Sequence, residues 1–168
     1  MNHEVVRKQK NSRMCFVCGL DNVAGLKASF YEVEGGALVG VFSPSEEHQS
    51  YPGRLHGGIA AAMLDETLGR AGLFRDGEEV FGVTTDLGLA YRKPVPLGVP
   101  LRVVARITRD EPRVFHGTAE LLLPDGTVAV EARGSYRKLP LDKIAGFDPD
   151  RERWRVSRGL DEPVGFEF

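Results

Sequence analysis

The stretch of sequence that decides the fold is Gly53-Arg54-Leu55-His56-Gly57-Gly58-Ile59-Ala60-Ala61-Ala62-Met63-Leu64-Asp65-Glu66. Small and apolar side chains continue to residue 73 without a proline, so this region predicts the one long helix of the chain, over 57–73. The helix is apolar nearly all round, which indicates that it is buried. Its alanines would let a sheet approach closely.

Segments typical of β-strands lie on both sides of this helix. Residues 26–33 and 37–42 precede it and are joined by a turn at Glu34-Gly35-Gly36. Arg75-Asp76-Gly77 should end the helix, and four more strands follow at 80–91, 101–108, 114–123 and 128–136, with a hairpin turn at Pro124-Asp125-Gly126. The order predicts an α+β fold in which an antiparallel sheet of five or six strands wraps around the central helix.

Length and charge narrow the classes of function. The 168 residues fit one domain, and the net charge of −2 argues against a nucleic-acid or membrane-surface partner. An anionic ligand would therefore have to meet a local basic patch. Because no stretch reaches the apolar length of a membrane span and the N-terminus has no apolar signal core, we expect a cytoplasmic protein.

Three regions follow from the changes in composition along the chain. Residues 1–14 are polar and basic and are expected to form a flexible arm, while 15–138 hold the folded domain. Residues 139–168 form a charged, irregular C-terminal extension. Its aromatic side chains, Phe147, Trp154, Phe166 and Phe168, are enough to dock onto the core or to cover an interface.

The motif around residue 56 resembles the His-Gly-Gly…Asp signature of hotdog-fold acyl-CoA thioesterases of the PaaI-like type. The run 84–95 is similar to the central strand of that family, and Cys15-Phe16-Val17-Cys18-Gly19 is similar to the N-terminal segment of some members. The resemblance implies the hotdog fold and hydrolysis of an acyl- or aroyl-CoA thioester. It implies no cofactor, since CoA is part of the substrate, and it implies a homodimer or a dimer of dimers with sites shared between chains.

The start and the middle of the helix hold the candidate catalytic groups. The backbone N–H groups of Gly57 and Gly58 can stabilise a developing oxyanion, although tight helix–sheet packing would also require glycine. Asp65 is the candidate nucleophile or general base, because a carboxylate on an apolar helix is costly unless it is solvated, paired or used. The resemblance places the carboxylate nine residues after the motif His56, which selects Asp65 over Glu66.

The same spacing has a consequence for assembly. Nine residues at about 1.5 Å each place His56 and Asp65 about 13 Å apart along the helix axis. The Gly57 amide and Asp65 of one chain therefore cannot both contact the same carbonyl group. Two antiparallel helices from two subunits can bring them together around a two-fold axis, so the spacing predicts composite sites.

Three further polar residues are candidates through the resemblance. His56 would cap or orient the loop, or contact the thioester. Ser50 stands six residues before His56, where relatives place an amide, and Gln49 lies beside it. Thr84 matches a position where a hydroxyl holds the attacking water, although a β-branched residue also suits a strand.

Basic and sulfur-containing residues complete the candidates. Arg92 and Lys93 at a strand end are expected to contact the CoA phosphates. Cys15 and Cys18 are spaced like a zinc-binding pair, but a structural zinc needs four ligands, and only His3 or His48 offers another. We therefore expect no metal and favour a compact metal-free turn over a zinc or redox site.

Two other functions remain open for this sequence. A non-catalytic acyl-CoA-binding hotdog protein is compatible with Ser50 in place of the amide, although the presence of Asp65 argues against it. A hotdog dehydratase or hydratase would need a catalytic histidine in a proline-rich context, which is absent here. Release of free CoA separates these functions.

Overall fold

The computed structural model describes residues 1–73 and 80–168. The first half contains β1 (Asn2–Lys8), β2 (Ser29–Val33), β3 (Leu38–Phe42) and the helix α1 (Gly57–Ala71). The second half contains β4 (Val80–Tyr91), β5 (Leu101–Asp110), β6 (Val114–Leu122), β7 (Val128–Pro140) and β8 (Gly165–Glu167). Short 3-10 turns lie at Glu46–His48 and Leu141–Lys143.

All eight of these strands belong to one antiparallel sheet in the order β4-β7-β6-β5-β3-β2-β1-β8. The β2–β3 hairpin turns at Gly35 and Gly36, whose φ angles of 85° and 78° suit glycine. The β6–β7 hairpin closes at Gly126, where the Asp125 side chain accepts a hydrogen bond of 2.9 Å from the Thr127 N–H. Local turn chemistry thus sets the pairing of neighbouring strands.

The sheet wraps around α1, as the sequence predicts. The buried apolar side chains of α1 pack against β3, β4, β5, β6 and β7. Gly82 of β4 lets the helix come close, because a Cβ there would lie 2.9 Å from the Gly69 carbonyl oxygen. The predicted helix 57–73 is confirmed over Gly57–Ala71, and the predicted turn at 75–77 lies outside the described residues.

The N-terminal segment differs from the expected flexible arm. It forms β1, which pairs with β2 and β8 and adds to the six strands expected from the sequence. Arg7 binds the buried Glu32 carboxylate through two hydrogen bonds, and Gln9 donates to the same carboxylate. A buried carboxylate needs such partners, so these polar residues serve as structural anchors.

The C-terminal extension docks onto the domain through its aromatic residues. Phe166 of β8 packs 5.5 Å from Tyr31, and Trp154 lies 6.1 Å from Phe81 and 5.9 Å from Phe147 between ring centroids. Within the described residues, α1 and the 3-10 turns fall short of the length and hydrophobicity that a membrane-spanning helix needs.

Candidate active site

Asp65 lies in the middle of α1 with its carboxylate fixed by two hydroxyl groups. Its Oδ1 accepts hydrogen bonds of 2.8 Å from Thr84 Oγ1 on β4 and 2.9 Å from the Tyr136 hydroxyl on β7. Hydrogen bonds to an ionised group are stronger than neutral ones and set its orientation. No group in the described part of the chain donates to Oδ2, so this oxygen is left for substrate or water.

Tyr136 is a component of the site that the sequence analysis missed. It sits opposite Thr84 in the β4–β7 ladder, is fully buried, and stacks on Phe115 with ring centroids 5.1 Å apart. Burial and the charge of Asp65 raise the pKa of Tyr136 far above its usual range. The phenol therefore stays protonated and keeps donating to Asp65.

Asp65 borders a cleft of about 240 Å³, which we call the Asp65 cleft. One wall is aromatic and includes Phe147 and Trp154 from the C-terminal extension, so this extension helps to build the site. The lining also includes two cysteines and the partly buried ion pair between Arg70 and Glu66. The residues lining the cleft are Ser12, Cys15, Cys18, Asp65, Glu66, Gly69, Arg70, Phe81, Gly82, Thr84, Phe147 and Trp154.

The start of α1 presents one free backbone donor. His56 is the N-cap, and its Nδ1 accepts a hydrogen bond of 2.9 Å from the Gly58 N–H. The Gly57 N–H has no acceptor among residues 1–73 and 80–168, while the Gly57 carbonyl accepts from the Tyr91 hydroxyl at 2.7 Å. Of the two amides expected to hold an oxyanion, Gly57 is available and Gly58 is capped by His56.

Gly57 lines a second cleft of about 330 Å³, which we call the Gly57 cleft. Tyr91, Arg92 and Lys93 line it as well, so the structure places the two expected phosphate-binding residues beside the helix start. Arg92 forms an ion pair of 2.7 Å with Glu131, but both side chains are largely exposed. Such a surface pair contributes little stability and yields readily to a phosphate.

Ser50 belongs to neither group of site residues. It is exposed in a turn where its N–H donates to the Arg54 carbonyl at 2.9 Å, and Gln49 Oε1 accepts from the Gly53 N–H at 2.9 Å. The structure therefore brings Asp65 together with Thr84, and Gly57 together with Arg92 and Lys93. In the described part of the chain, no hydrogen bond links the two groups.

The Asp65 cleft is also lined by Cys15, Cys18 and Glu66, whose ligand atoms lie within 4.8 Å of one another. Both cysteines are free thiols. A hydrogen bond from the Cys15 thiol lowers the pKa of Cys18 to about 6, against the opposing effect of burial, and nearby Arg70 adds to the lowering. Glu66 Oε1 accepts a hydrogen bond of 2.7 Å from Arg70.

The two histidines considered as partners of the cysteines lie elsewhere. His3 Nδ1 contacts the Glu34 carbonyl at 3.1 Å and its ring stacks on Phe168. The His48 ring contacts the Ala24 carbonyl at 3.0 Å and accepts from the Ser45 N–H at 3.0 Å. Both rings are therefore used in holding loops together.

Comparison with solved structures identifies the fold. A helix wrapped by an antiparallel sheet is the hotdog arrangement, and the chain superimposes on a crystal structure of a thioesterase superfamily protein with a TM-score of 0.68. The two are 26% identical, and the match covers 74% of this chain and 60% of that one. It also superimposes on the PaaI protein of E. coli with a TM-score of 0.61 and 14% identity, covering 68% and 80% of the two chains. The latter likeness shows the fold alone.

Sequence comparison finds a similar family and similar proteins. The sequence profile of the Thioesterase superfamily matches residues 52–130, which include α1, Asp65 and Thr84. The acyl-coenzyme A thioesterase THEM4 of Xenopus laevis is 27% identical over 120 residues, 71% of this chain and 53% of the relative. The mouse THEM4 is 28% identical over 117 residues, 69% and 49% of the two chains. The chain has the hotdog fold and is similar to the Thioesterase superfamily over residues 52–130, and it spans about half the length of these curated relatives.

Proposed function

We propose that this protein hydrolyses an acyl- or aroyl-CoA thioester to the free acid and CoA. The single observation that carries the proposal is the Asp65 carboxylate, whose Oδ1 is held by Thr84 and Tyr136 while Oδ2 is left for chemistry at the border of a cleft. The matches to acyl-coenzyme A thioesterases support the same chemistry.

Asp65, the Gly57 N–H and water account for each bond and proton transfer of the hydrolysis. Asp65 accepts a proton from water, and the resulting hydroxide adds to the thioester carbonyl carbon. The oxyanion that forms accepts a hydrogen bond from the Gly57 N–H at the positive end of the α1 dipole. Collapse of this intermediate breaks the carbon–sulfur bond, and the CoA thiolate takes the proton. Alternatively, Asp65 attacks the carbonyl carbon itself and water hydrolyses the anhydride. Neither route requires a cofactor.

The proposed catalytic unit is a homodimer, alone or within a dimer of dimers. Gly57 and Asp65 are eight residues apart on α1, or about 12 Å along its axis. Strand β4 lies at one end of the sheet order, is 12 residues long, and is exposed at Thr84–Asp86. A long edge strand of this kind readily pairs with a second copy. Pairing two β4 strands around a two-fold axis sets the helices antiparallel.

Steady-state release of free CoA tests the proposal against the two alternatives. The purified chain is given straight-chain and aromatic acyl-CoAs, and free thiol is measured together with the acid product. We expect equal amounts of CoA and acid. Binding without release would indicate a non-catalytic acyl-CoA-binding protein, and a change in the acyl chain with CoA still attached would indicate a dehydratase or hydratase. The cytoplasmic location expected from the sequence stays a prediction.

A further inference from the structure

The segment 15–19, which we call the cysteine knuckle, has a backbone built to present two sulfur atoms. The Gly19 N–H donates to the Cys15 carbonyl at 2.7 Å, and the Cys18 N–H donates to Cys15 Sγ at 3.3 Å. A Cβ at Gly19 would lie 2.3 Å from the Cys15 carbonyl oxygen, so the turn closes this tightly only with glycine. The turn brings the two sulfur atoms to one side.

The knuckle is held against α1, where the sequence offered no ligand. The Asn11 side chain donates to the carbonyls of Cys18 and Ala28 at 2.9 and 2.8 Å. These bonds tie the knuckle to the segment before β2, and Glu66 of α1 brings a carboxylate oxygen within 4.8 Å of the two sulfur atoms. Glu66 was not predicted as a ligand from the sequence, because it is distant from the cysteines in the chain and stood only as an alternative to Asp65.

We propose that Cys15, Cys18 and Glu66 bind a zinc-class divalent cation. Zinc–sulfur bonds of about 2.3 Å at a tetrahedral centre separate two sulfur atoms by about 3.8 Å. The three ligand atoms here lie within 4.8 Å of one another, so a small side-chain adjustment closes the site. Thiolates select zinc over hard cations such as magnesium and calcium. The ion replaces both thiol protons, which are released to solvent.

The charges around the site favour a divalent cation. Two thiolates and one carboxylate carry three negative charges, which the cation and the Arg70 guanidinium together neutralise. Arg70 binds Glu66 through Oε1 at 2.7 Å, and no hydrogen bond in the described ranges occupies Oε2, which is left for the ion. Arg70 thus orients the carboxylate, as outer partners of metal ligands do. Ser12 Oγ, 3.4 Å from Cys18 Sγ, or water can complete the coordination.

Cobalt spectroscopy tests this site independently of turnover. The full-length chain is reduced, freed of metal and titrated with Co²⁺. We expect one Co²⁺ per chain, a thiolate-to-cobalt charge-transfer band, and loss of that band when Zn²⁺ displaces the ion. A 100-fold excess of Zn²⁺ over its Kd should also raise the Tm by about 5 °C or more, because the ion binds only the folded state.

Ligand variants and one matched control sharpen the test. Cys15→Ser and Cys18→Ser should each remove at least half of the band's intensity, and Glu66→Gln should weaken binding at least tenfold. Glu120→Gln also removes a carboxylate paired with an arginine, Arg106, but on β6, and it should bind cobalt like the wild type. Circular dichroism verifies that each variant folds. If Cys18→Ser misfolds because Cys18 is buried, Cys15→Ser and Glu66→Gln still test whether these residues bind the ion.

Three results would overturn the site. They are less than one equivalent of Co²⁺ bound by the reduced chain, a charge-transfer band of unchanged intensity in Cys15→Ser, and a Glu66→Gln variant that binds as tightly as Glu120→Gln.

Discussion

The Gly57 cleft and the Asp65 cleft differ in every property that matters for thioester hydrolysis. The Gly57 cleft offers a free backbone N–H and two cationic side chains, Arg92 and Lys93. The Asp65 cleft offers a carboxylate, an aromatic wall and no free amide of a helix start. The first suits an oxyanion and phosphates, and the second suits a base and an acyl group.

This division explains why a single chain is an incomplete catalyst under our proposal. Hydrolysis needs a donor for the oxyanion and an acceptor for the proton at one carbonyl. A helix can offer the donor only at its N-terminus, because interior amides are already bonded. In the proposed mechanism, the carboxylate at residue 65 therefore acts beside the helix start of a second copy.

The largest effect is expected at the carboxylate. Asp65→Asn keeps the size of the side chain and an Oδ1 that Thr84 and Tyr136 can still donate to, so the fold should survive. An amide cannot accept the proton at neutral pH, and turnover should fall by about 10²–10⁴-fold. The measurements are kcat for acyl-CoA hydrolysis and the Kd of a non-hydrolysable acyl-CoA analogue, which should change little.

Glu66→Gln is the matched control for this carboxylate. Its side chain leaves α1 toward Arg70 and the cysteine knuckle, so it should lose much less turnover than Asp65→Asn. Near-normal turnover of Asp65→Asn together with an inactive Glu66→Gln would show that the wrong carboxylate has been assigned. If both variants stay active, the mechanism is wrong.

The next largest effect is expected at the helix start. Gly57 is the first residue of α1, and proline is well tolerated there because its fixed φ suits a helix start. The preceding His56 already has the extended ψ of 133° that proline requires. Gly57→Pro removes the N–H and should lower kcat by about 10²–10³-fold. Gly57→Ala adds the same Cβ, which would meet the Tyr91 ring at 3.4 Å, but keeps the N–H, so it should lose far less and serves as the control for the added carbon.

Mixing the two inactive chains tests whether the clefts meet across a dimer. A hybrid of Asp65→Asn and Gly57→Pro chains contains one site with Asp65 and the Gly57 amide both intact. With random exchange at equal concentrations, about half of the dimers are hybrids, and activity should return to about a quarter of the wild type. No recovery despite demonstrated subunit exchange would contradict the shared site.

The fold was predictable because its signals are local. A long run of small and apolar residues without proline marks α1, and Gly35, Gly36 and Gly126 mark the hairpin turns between strands. Strand β1 was missed because its charged residues look solvent-exposed in sequence, and only the buried Glu32 shows why they are ordered. No local pattern records an ion pair across 25 residues of chain.

The site residues that belong to the helix motif were predictable from the sequence, but the residues packed around them were not. Asp65 and Gly57 belong to one short segment that carries the family resemblance. Tyr136 lies 71 residues from Asp65 and reaches it only through the pairing of β4 with β7. In the sequence, this tyrosine cannot be told from any other aromatic residue of a strand. The aromatic wall from the C-terminal extension was likewise invisible, because nothing local says where Trp154 docks.

The smallest effect is expected at the cations of the Gly57 cleft, and it should appear in KM. Both side chains are exposed, so each phosphate contact is screened by water and salt. The double variant Arg92→Gln/Lys93→Gln should raise KM for acyl-CoA by about 3–10-fold with kcat nearly unchanged, which is the signature of lost uniform binding. The rise should shrink in high salt.

An acyl-pantetheine lacks the nucleotide phosphates, so its KM should be the same for variant and wild type. Arg106→Gln, which removes an arginine from a surface ion pair on β5, is the control. An equal KM rise with acyl-pantetheine would show that Arg92 and Lys93 do not bind the phosphates.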